Sequence, residues 1–360
     1  MTGRLRFGLV GGGWRAEFFL RVAQALPDRF EVVGAVVRDP DKGRALEQGW
    51  GVPTHRTLDG LLGPTAQTPD FVVVSVLREA APAIIRSLAE RGVPVLTETP
   101  AAPDVAGLLE LWPLLVQGAV VEVAEQYHLQ PLLRTQIELA RSGLLGPVTH
   151  AQVSVAHDYH GVSILRRLLG VGAEEAVVTA HAFTAPLVEG ATRSGPPRAH
   201  ALVDTVQTIA YLDYGDRTGV FDFTKGQYFS WVRTNRLLAR GPLGEVRDEE
   251  VRFVRPDLTQ MLWRIERVAT GVNGNHEGHV LRGLIAGDEW RYRNPFEPAR
   301  LSDDELAVAE LLVRMGERVR GGPSVYSFAE AAQDHYLQLV VQQSVREGRP
   351  VRATAQPWAW

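Results

Sequence analysis

The first 125 residues alternate short apolar runs with stretches in which apolar residues recur at helical spacing. Five runs rich in valine and leucine lack regular polar positions: Leu5–Val10, Glu31–Val37, Phe71–Val76, Val93–Thr97 and Val120–Ala124. Such runs are typical of parallel strands covered on both faces. Helices are predicted between strands at Phe18–Leu26, Glu79–Arg91 and Asp104–Val116. The alternation predicts an α/β domain with a doubly wound parallel sheet.

The pattern changes after a helix predicted at Pro131–Ser142 and a junction at Gly146-Pro147. Longer strands with partial polar alternation follow: Val148–His157, Glu175–Thr184, His200–Tyr214, Gly219–Phe223 and Val251–Arg255. One helix, Tyr159–Leu169, is predicted between the first two of them. Partial alternation is typical of a sheet with one covered face. We therefore expect an α+β domain with a large open antiparallel sheet.

Two helices are predicted to close the chain, at Ser302–Val319 and Ser327–Glu347. The first starts at Ser302 and has Glu305 three residues later, which is the pattern of a capping box. The stretch Pro186–Arg198 is rich in glycine, proline and charge, and it predicts an exposed loop.

A length of 360 residues is too great for one ordinary core. We expect two domains, residues 1–125 and 126–360, with the last helix packing back on the first domain. The composition, 45% hydrophobic and 22% charged, is typical of water-soluble globular proteins. A net charge of -4 without long runs of one sign argues against nucleic acid or a membrane surface as partner. The absence of cysteine excludes disulfides and thiolate chemistry, and it fits the cytoplasm.

A glycine-rich turn follows the first predicted strand. Gly11, Gly13 and Ala16 form the pattern G-x-G-x-x-A, with Trp14 and Arg15 between the last two, and a helix begins there. The first glycine permits a tight turn, the second lets the backbone approach a pyrophosphate, and the alanine allows close packing of helix on strand. The N–H groups of the helix N-terminus would bind the phosphates. The turn predicts a Rossmann-type dinucleotide-binding domain.

The end of the second predicted strand bears on the choice of cofactor. An acidic residue about twenty residues beyond the turn would bind the ribose hydroxyls of NAD. Here Arg38 occupies the strand end and Asp39 follows it. A guanidinium at this position can pair with a 2′-phosphate. The sequence therefore favours NADP slightly and leaves NAD open.

Several later segments resemble one family of oxidoreductases. The strand Val93–Thr97 leads into Glu98-Thr99-Pro100, and the next strand ends in Val123-Ala124-Glu125-Gln126-Tyr127. A turn follows at Gly143–Pro147, and a late helix begins as Ser327-Phe328-Ala329-Glu330-Ala331. Over nearly its whole length, the chain resembles the Gfo/Idh/MocA oxidoreductases.

The resemblance implies a Rossmann domain followed by an open antiparallel sheet. It also implies pyridine-nucleotide redox chemistry on a sugar, cyclitol or related polyol. Besides the glycine turn, Arg38 and Asp39, it places a further group of residues at the cofactor: Val76, Arg78, Glu98, Pro100, Gln126 and Tyr127.

The chain departs from the family pattern at three places. Thr99 stands where the family has the lysine that holds the reacting oxygen, and a hydroxyl cannot supply positive charge. Ala156 and Ser163 occupy the positions of two family aspartates. Val76-Leu77-Arg78 replaces a Thr-Pro-Asn motif that shapes the nicotinamide pocket.

Three proton-bearing groups remain at the start of one predicted helix, Asp158, Tyr159 and His160. His160 aligns with the family histidine, and histidine is the residue type best suited to proton transfer near neutral pH, so we predict that it acts as acid or base. Asp158 is expected either to orient it or to cap the helix. Tyr159 and the hydroxyl of Thr99 complete the predicted catalytic group. His128 and His157 are expected to be structural or solvated.

No metal site is predicted, because the pairs His157/His160 and His276/His279 lack third and fourth ligands at suitable spacing. Candidates for substrate contacts lie on predicted loops, at Arg193, Lys225 and Asn273, and the alternative for each is a solvated side chain.

The favoured function is an NAD(P)-dependent oxidoreductase that acts on a carbohydrate-like alcohol or ketone. Two alternatives stay open: a nucleotide-binding sensor or scaffold without catalysis, and a glycosidase that uses the cofactor for transient oxidation. An open sheet face must be covered, so a homo-oligomer, a dimer or a tetramer, is expected.

Overall fold

A computed structural model describes residues 3–64, 66–271 and 280–359. The chain divides into two compact units. The first contains Met1–Pro131, Arg267–Gly283 and Arg293–Ala332. The second contains Leu132–Glu266, Leu284–Tyr292 and Gln333–Trp360. Two late segments thus join the unit that the sequence predicted to end at residue 125.

A six-stranded parallel sheet forms the centre of the first unit. Its strands are β1 (Leu5–Val10), β2 (Phe30–Val36), β3 (Thr54–His55), β4 (Phe71–Val74), β5 (Val95–Thr97) and β6 (Val121–Val123). Their order is β3-β2-β1-β4-β5-β6, and every adjacent pair is parallel. Phe7, Leu9 and Val73 are fully buried, as expected for strands covered on both faces. The predicted doubly wound sheet is confirmed.

Most of the described helices lie close to their predicted positions, but those at Pro40–Trp50 and Leu58–Leu62 were not predicted. The helices are α1 (Ala16–Ala25), α2 (Pro40–Trp50), α3 (Leu58–Leu62), α4 (Ala81–Ala89), α5 (Val105–Val116), α6 (Pro131–Arg141), α7 (Asp158–Leu169), α8 (Asp303–Arg318) and α9 (Phe328–Glu347). The capping box of α8 is present, with Glu305 N–H donating to Ser302 Oγ over 3.3 Å. Helix α8 packs on α1 within the first unit, where Arg21 Nε lies 2.7 Å from Glu305 Oε1.

The second unit is built on a nine-stranded sheet. The later strands of the chain are β7 (His150–Ser154), β8 (Ala176–Val188), β9 (Leu202–Asp213), β10 (Thr218–Thr224), β11 (Arg236–Gly241), β12 (Gly244–Arg247), β13 (Glu250–Val254), β14 (Gln260–Arg264), β15 (Glu266–Thr270), β16 (Val280–Ala286), β17 (Glu289–Arg293) and β18 (Val351–Ala353). The sheet order is β14-β13-β12-β11-β7-β10-β9-β8-β18, and β15-β16-β17 form a separate sheet. Only the pair β7–β10 is parallel among the strand pairs whose register the structure describes in the large sheet. The predicted large sheet in an α+β domain is confirmed.

Helix α7 covers one face of this sheet, and the other face is open along β8 and β9. Gly161 of α7 lies so close to Phe221 that a Cβ there would be 2.4 Å from the ring. On the open face, four large apolar side chains are 39 to 47% exposed: Val177, Phe183, Ile209 and Tyr211.

The prediction of a loop at Pro186–Arg198 is wrong at its start. Strand β8 continues to Val188, which pairs with Leu202 of β9. Strand β18 pairs only with Ala176–Val178 of β8, so Pro186 has a neighbouring strand on one side only. A proline is compatible with such an edge because its missing N–H faces no partner. None of the described helices is both long and apolar enough to cross a membrane.

Candidate active site

The glycine turn between β1 and α1 has the geometry that its sequence predicts. Gly11 has a φ of +114°, and a Cβ there would lie 2.0 Å from the carbonyl oxygen of Ser75. No side chain larger than hydrogen fits at this position. Gly13 has open space where a Cβ would point, so its backbone is accessible to a phosphate. Ala16, the first residue of α1, is fully buried.

A cleft of about 610 Å³ opens beside this turn, within the first unit. It is lined by the turn, the end of β2 and the starts of α2, α3 and α4, including Gly11, Gly12, Arg38, Asp39, Lys42, Arg56 and Val76. Its size and its glycine turn fit a dinucleotide. NAD(P), when bound there, supplies a hydride acceptor or donor to the reaction.

Asp39 and Arg38 differ in the groups that they offer to this cleft. Asp39 Oδ1 accepts hydrogen bonds from the N–H groups of Asp41 (2.9 Å) and Lys42 (3.2 Å) and so caps α2. These backbone hydrogen bonds lower the pKa of Asp39. Arg38 is exposed in the cleft. Arg56 Nη1 donates to the carbonyl oxygen of Val37 over 2.9 Å. The sequence did not predict α2, although Asp39 and Pro40 are typical of a helix start.

Trp14 and Arg15 extend from the turn in different ways. Trp14 is 45% exposed and packs edge-on against Phe18. Arg15 Nε lies 2.7 Å from Glu98 Oε1, and its guanidinium stacks on Phe18 at 4.8 Å. Burial opposes the charge on Arg15, but Glu98 and Asp304 outweigh it and raise the pKa. The glycine turn is thereby tied to the segment after β5.

The remaining predicted cofactor residues lie after β4, β5 and β6, at the carboxyl edge of the parallel sheet. Thr99 and Pro100 are half-buried and joined by a cis peptide bond. Arg78 is exposed, pairs with Glu79 at 3.1 Å and does not line the cleft. Ligands of open α/β sheets bind at this edge.

Gln126 and Tyr127 follow β6 directly. The Gln126 side chain is buried and donates to Asp304 Oδ1 over 3.4 Å. The Tyr127 N–H donates to Glu125 Oε1 over 3.2 Å. These contacts hold the segment after β6 in place, at the edge where the cofactor is expected.

A second pocket, of about 390 Å³, lies in the second unit. It is lined by His157, Asp158, Val206, Thr208, Phe221, Phe223, Lys225, Gly226 and Tyr228. Of the three candidates for substrate contacts, Lys225 lies in this lining, Arg193 lies on an exposed loop, and Asn273 lies outside the described residues. The pocket combines apolar and aromatic walls with several polar side chains, which can orient a small molecule.

His157 and Asp158 form the polar part of this pocket. His157 Nδ1 lies 3.0 Å from Asp158 Oδ2, and Gln338 Nε2 donates to Asp158 Oδ1 over 2.8 Å. Burial opposes ionisation of Asp158, but the hydrogen bond from His157 and the nearby His160 and His335 outweigh it, so the pKa of Asp158 is lowered. The backbone N–H of His157 donates to Tyr228 Oη over 2.9 Å.

Asp158 is in an unusual backbone conformation, with a φ of +49°. His157 is the N-cap residue of α7, and Asp158 is the acidic residue in the first turn of this helix. Both roles considered for Asp158, orienting a histidine and capping the helix, stay predictions. The carboxylate contacts His157, a residue expected to be structural or solvated.

His160 lies beneath these residues. It is 7% exposed and is not among the residues that line the pocket. Its ring lies 5.0 Å from that of His157 and 4.4 Å from that of Tyr159. Tyr159 in turn packs edge-on against His335 at 5.7 Å. The predicted catalytic residues of α7 thus belong to one cluster, in which His157 is the more exposed histidine.

Within residues 3–64, 66–271 and 280–359, no group of three or more histidine or carboxylate side chains could hold a metal ion. His276 and His279 lie outside these ranges.

Comparisons with known proteins agree with this architecture. Residues 5–127 match the model of the GFO_IDH_MocA family, described as an oxidoreductase family with an NAD-binding Rossmann fold. No curated protein sequence matches the chain significantly.

Solved structures share the fold over almost the whole chain. An oxidoreductase from Agrobacterium radiobacter, in complex with NAD⁺, L-tartaric acid and magnesium, has a TM-score of 0.68 and 15% identity, over 97% of this chain and 98% of that one. The WlbA dehydrogenase from Chromobacterium violaceum, in complex with NADH and UDP-GlcNAcA, has a TM-score of 0.65 and 17% identity, over 99% and 98%. A putative myo-inositol dehydrogenase from Sinorhizobium meliloti 1021 has a TM-score of 0.66 and 17% identity, over 98% and 100%.

The family model covers the domain with the glycine turn, and the shared fold covers both units. Residues 5–127 therefore match the NAD-binding Rossmann domain of the Gfo/Idh/MocA oxidoreductases, and the chain shares its fold with the solved structures above.

Proposed function

We propose that the protein is an NAD(P)-dependent oxidoreductase that transfers a hydride to or from a carbohydrate-like alcohol or ketone. The observation that carries this proposal is the pocket in the second unit, where a histidine is hydrogen-bonded to a carboxylate beside aromatic walls. Oxidation of an alcohol releases a proton together with the hydride, so a nearby base is required. The related folds include a dehydrogenase with a bound sugar nucleotide and a putative cyclitol dehydrogenase.

We place the proton-accepting group in the histidine cluster at the start of α7. His160 is the residue that the family resemblance assigns to this role, and it lies 5.0 Å, ring to ring, from His157. Asp158 and Tyr159 contact the histidines of the cluster directly. Thr99, in place of the family lysine, offers a hydroxyl that can donate a hydrogen bond.

We further propose that NADP is preferred over NAD. Asp39 Oδ1 is engaged by two backbone N–H groups, which reduces its capacity to accept from ribose hydroxyls. Arg38, Lys42 and Arg56 bring three positive charges to the same wall of the cleft. A 2′-phosphate carries the charge that such a wall attracts.

The test is a substrate panel with the purified protein and each cofactor. Sugars, sugar acids, cyclitols and their ketones are incubated with NADP⁺, NADPH, NAD⁺ or NADH, and the reduced nicotinamide is followed by its absorbance. Turnover of at least one polyol or ketone is expected. Tight nucleotide binding, measured by calorimetry, without turnover of any member would contradict the proposal.

One observation favours a second candidate. Thr99 removes the positive charge that the family lysine supplies, as expected for a nucleotide-binding sensor or scaffold without catalysis. This candidate predicts thermal stabilisation by NAD(P) and no turnover. The same panel, extended to glycosides and scored for hydrolysis without net change in the cofactor, also tests the redox-assisted glycosidase.

We also propose that a second copy of the chain covers the open face of β8 and β9. Four large apolar side chains lie there at 39 to 47% exposure, and oligomers of soluble proteins are mostly homo-oligomers. Sedimentation of the wild type as a dimer or tetramer, and of a Tyr211→Glu variant as a smaller species, is expected. A monomeric wild type would contradict this proposal.

A further inference from the structure

The pocket of the second unit presents one histidine to a ligand, and it is not the one that aligns with the family. The His157 side chain is 41% exposed and lines the pocket. His160 is 7% exposed and does not line it. Proton transfer needs a hydrogen bond between the base and the reacting hydroxyl. His157 is accessible to a ligand in the pocket, whereas His160 does not line it.

Asp158 determines which nitrogen of His157 is available. Its Oδ2 lies 3.0 Å from His157 Nδ1. The ionised carboxylate can only accept hydrogen bonds, so Nδ1 carries a proton and donates it. In the neutral ring, Nε2 is then the nitrogen that can accept a proton.

The Asp158 carboxylate is itself held in place. Gln338 of α9 donates to its Oδ1 over 2.8 Å, and the backbone of Asp158 has a φ of +49°. Such a conformation is unfavourable for most residues, although aspartate tolerates it better than most. A strained residue that points its carboxylate at a pocket histidine is typical of a functional site.

We infer that His157 is the catalytic residue that accepts the substrate proton, and that Asp158 is its positioning residue. This inference rests on the proposed function. It differs from the family resemblance, which assigns the role to His160. This chain has Ala156 and Ser163 at the two family aspartate positions. The adjacent pair His157-Asp158 nevertheless places a carboxylate beside a pocket histidine.

The C–H bond of the carbinol breaks, and its hydrogen leaves with two electrons for the oxidised nicotinamide of the proposed cofactor. The O–H bond breaks, its proton binds to His157 Nε2, and its electron pair forms the C=O bond. His157 then carries a positive charge, which Asp158 stabilises until the proton passes to water. The reverse reaction uses the same groups in the opposite order.

Groups from every neighbouring element face this pair. Lys225 and Tyr228 line the same pocket after β10. His160 and Tyr159 lie on α7 itself, and His335 and Gln338 lie on α9. A pH profile of the reaction therefore reports on the pair together with these groups, and single substitutions are needed to assign it.

The kinetic experiment compares His157→Gln with His160→Gln and with the control His200→Gln, an exposed histidine outside both pockets. With a substrate identified by the panel, His157→Gln should lower kcat by about 10²- to 10⁴-fold with KM nearly unchanged. His160→Gln should cost less, and His200→Gln nothing. Added imidazole should partly restore His157→Ala. A larger loss in His160→Gln than in His157→Gln would overturn the inference.

A measurement that needs no turnover tests the same geometry. Nitrogen-15 NMR of histidine-labelled protein above about pH 8, where an ordinary histidine is neutral, distinguishes the two ring tautomers. We expect His157 to carry its proton on Nδ1 and to lose this preference in Asp158→Asn. A proton on Nε2 in the wild type would overturn the inference and leave the proposed function intact. The expected tautomer without turnover of any substrate would instead refute the proposed function, and the catalytic role with it.

Discussion

The nucleotide cleft and the histidine pocket are built by different means. The cleft is formed by backbone: a glycine turn after β1, the end of β2 and the starts of the following helices. Its decisive feature is the φ of +114° at Gly11. The histidine pocket is formed by side chains from segments far apart in the sequence. Gln338, for example, holds Asp158 from 180 positions further along the chain.

Because of this difference, nucleotide binding and proton transfer respond differently to changes of side chains. A turn that offers N–H groups to phosphates tolerates changes in the neighbouring side chains, such as the exposed Trp14. A proton-transfer pair does not, because its function depends on one nitrogen atom and one carboxylate oxygen. The nucleotide turn is therefore present in this chain, although the family resemblance places Thr99 at a lysine position and Ala156 and Ser163 at aspartate positions.

Replacing Gly11 with alanine should disrupt the nucleotide cleft. The new Cβ would lie 2.0 Å from the Ser75 carbonyl oxygen, so the turn must shift. Loss of two hydrogen bonds to phosphate, at about 1.5 to 3 kcal/mol each, should weaken nucleotide binding by roughly 10²-fold or more. Calorimetry with NAD⁺ and NADP⁺ measures this. Gly51→Ala, at a positive φ in open space, is the control for backbone strain alone. Unchanged binding in Gly11→Ala would show that the cleft is not the nucleotide site.

Replacing Asp158 with asparagine should affect the histidine pocket and leave the nucleotide cleft unchanged. Asparagine tolerates the φ of +49°, so the fold is expected to persist. The amide cannot stabilise a positive charge on His157, and kcat should fall by about 10²-fold. Nucleotide affinity should not change. Asp216→Asn, at an exposed carboxylate paired with Arg217, is the matched control. Equal losses of kcat in the two variants would remove the role assigned to Asp158.

Replacing Arg38 with alanine should change how the cleft distinguishes NADP from NAD. If this guanidinium binds a 2′-phosphate, one charge-assisted hydrogen bond of about 1.5 kcal/mol or more is lost, and affinity for NADP should fall roughly tenfold. Affinity for NAD should stay the same. Arg44→Ala, an arginine of α2 paired with Asp41, is the control. Parallel losses for both cofactors in Arg38→Ala would contradict the preference for NADP.

Acid should produce the smallest of these effects, and in the histidine pocket it acts through Asp158. The pKa of Asp158 is lowered below its ordinary 3.8 in the folded protein, so the ionised carboxylate stabilises the fold. This contribution is fully present above the unfolded pKa and is lost as the pH falls through the folded pKa. The difference in unfolding free energy between wild type and Asp158→Asn should therefore shrink as the pH falls from about 5 towards 3. Denaturant melts at several pH values measure it, and a difference that grows in acid would contradict the assigned sign.

Most of the nucleotide cleft could be predicted from the sequence. The run Leu5–Val10, the glycine turn and Ala16 are consecutive, and local rules for strands, turns and helix starts apply to them directly. Helix α2 was missed although Asp39 and Pro40 are good start signals, because its apolar face is weak and only Gly43 and Leu46 are buried. The contact between Arg15 and Glu98 joins residues 83 positions apart, so no local rule predicts it.

The histidine pocket could be predicted from the sequence only in outline. The sequence located Asp158, Tyr159 and His160 at a helix start, but it assigned His157 no role. Its importance depends on which side chain reaches the pocket, and that depends on β10 and α9, which pack around the start of α7. The extent of β8 past Pro186 likewise depends on a missing neighbour strand.

By itself, the sequence determined that this chain has a dinucleotide turn and a parallel sheet followed by an open sheet, because these follow from local periodicity and from glycine's freedom at positive φ. It also showed which family side chains are absent. Only the tertiary structure decided that Asp39 is engaged in capping a helix, that Asp158 holds His157 and that His157 lines the pocket. These are contacts between side chains, and the orientation of a side chain is set by the elements that pack around it.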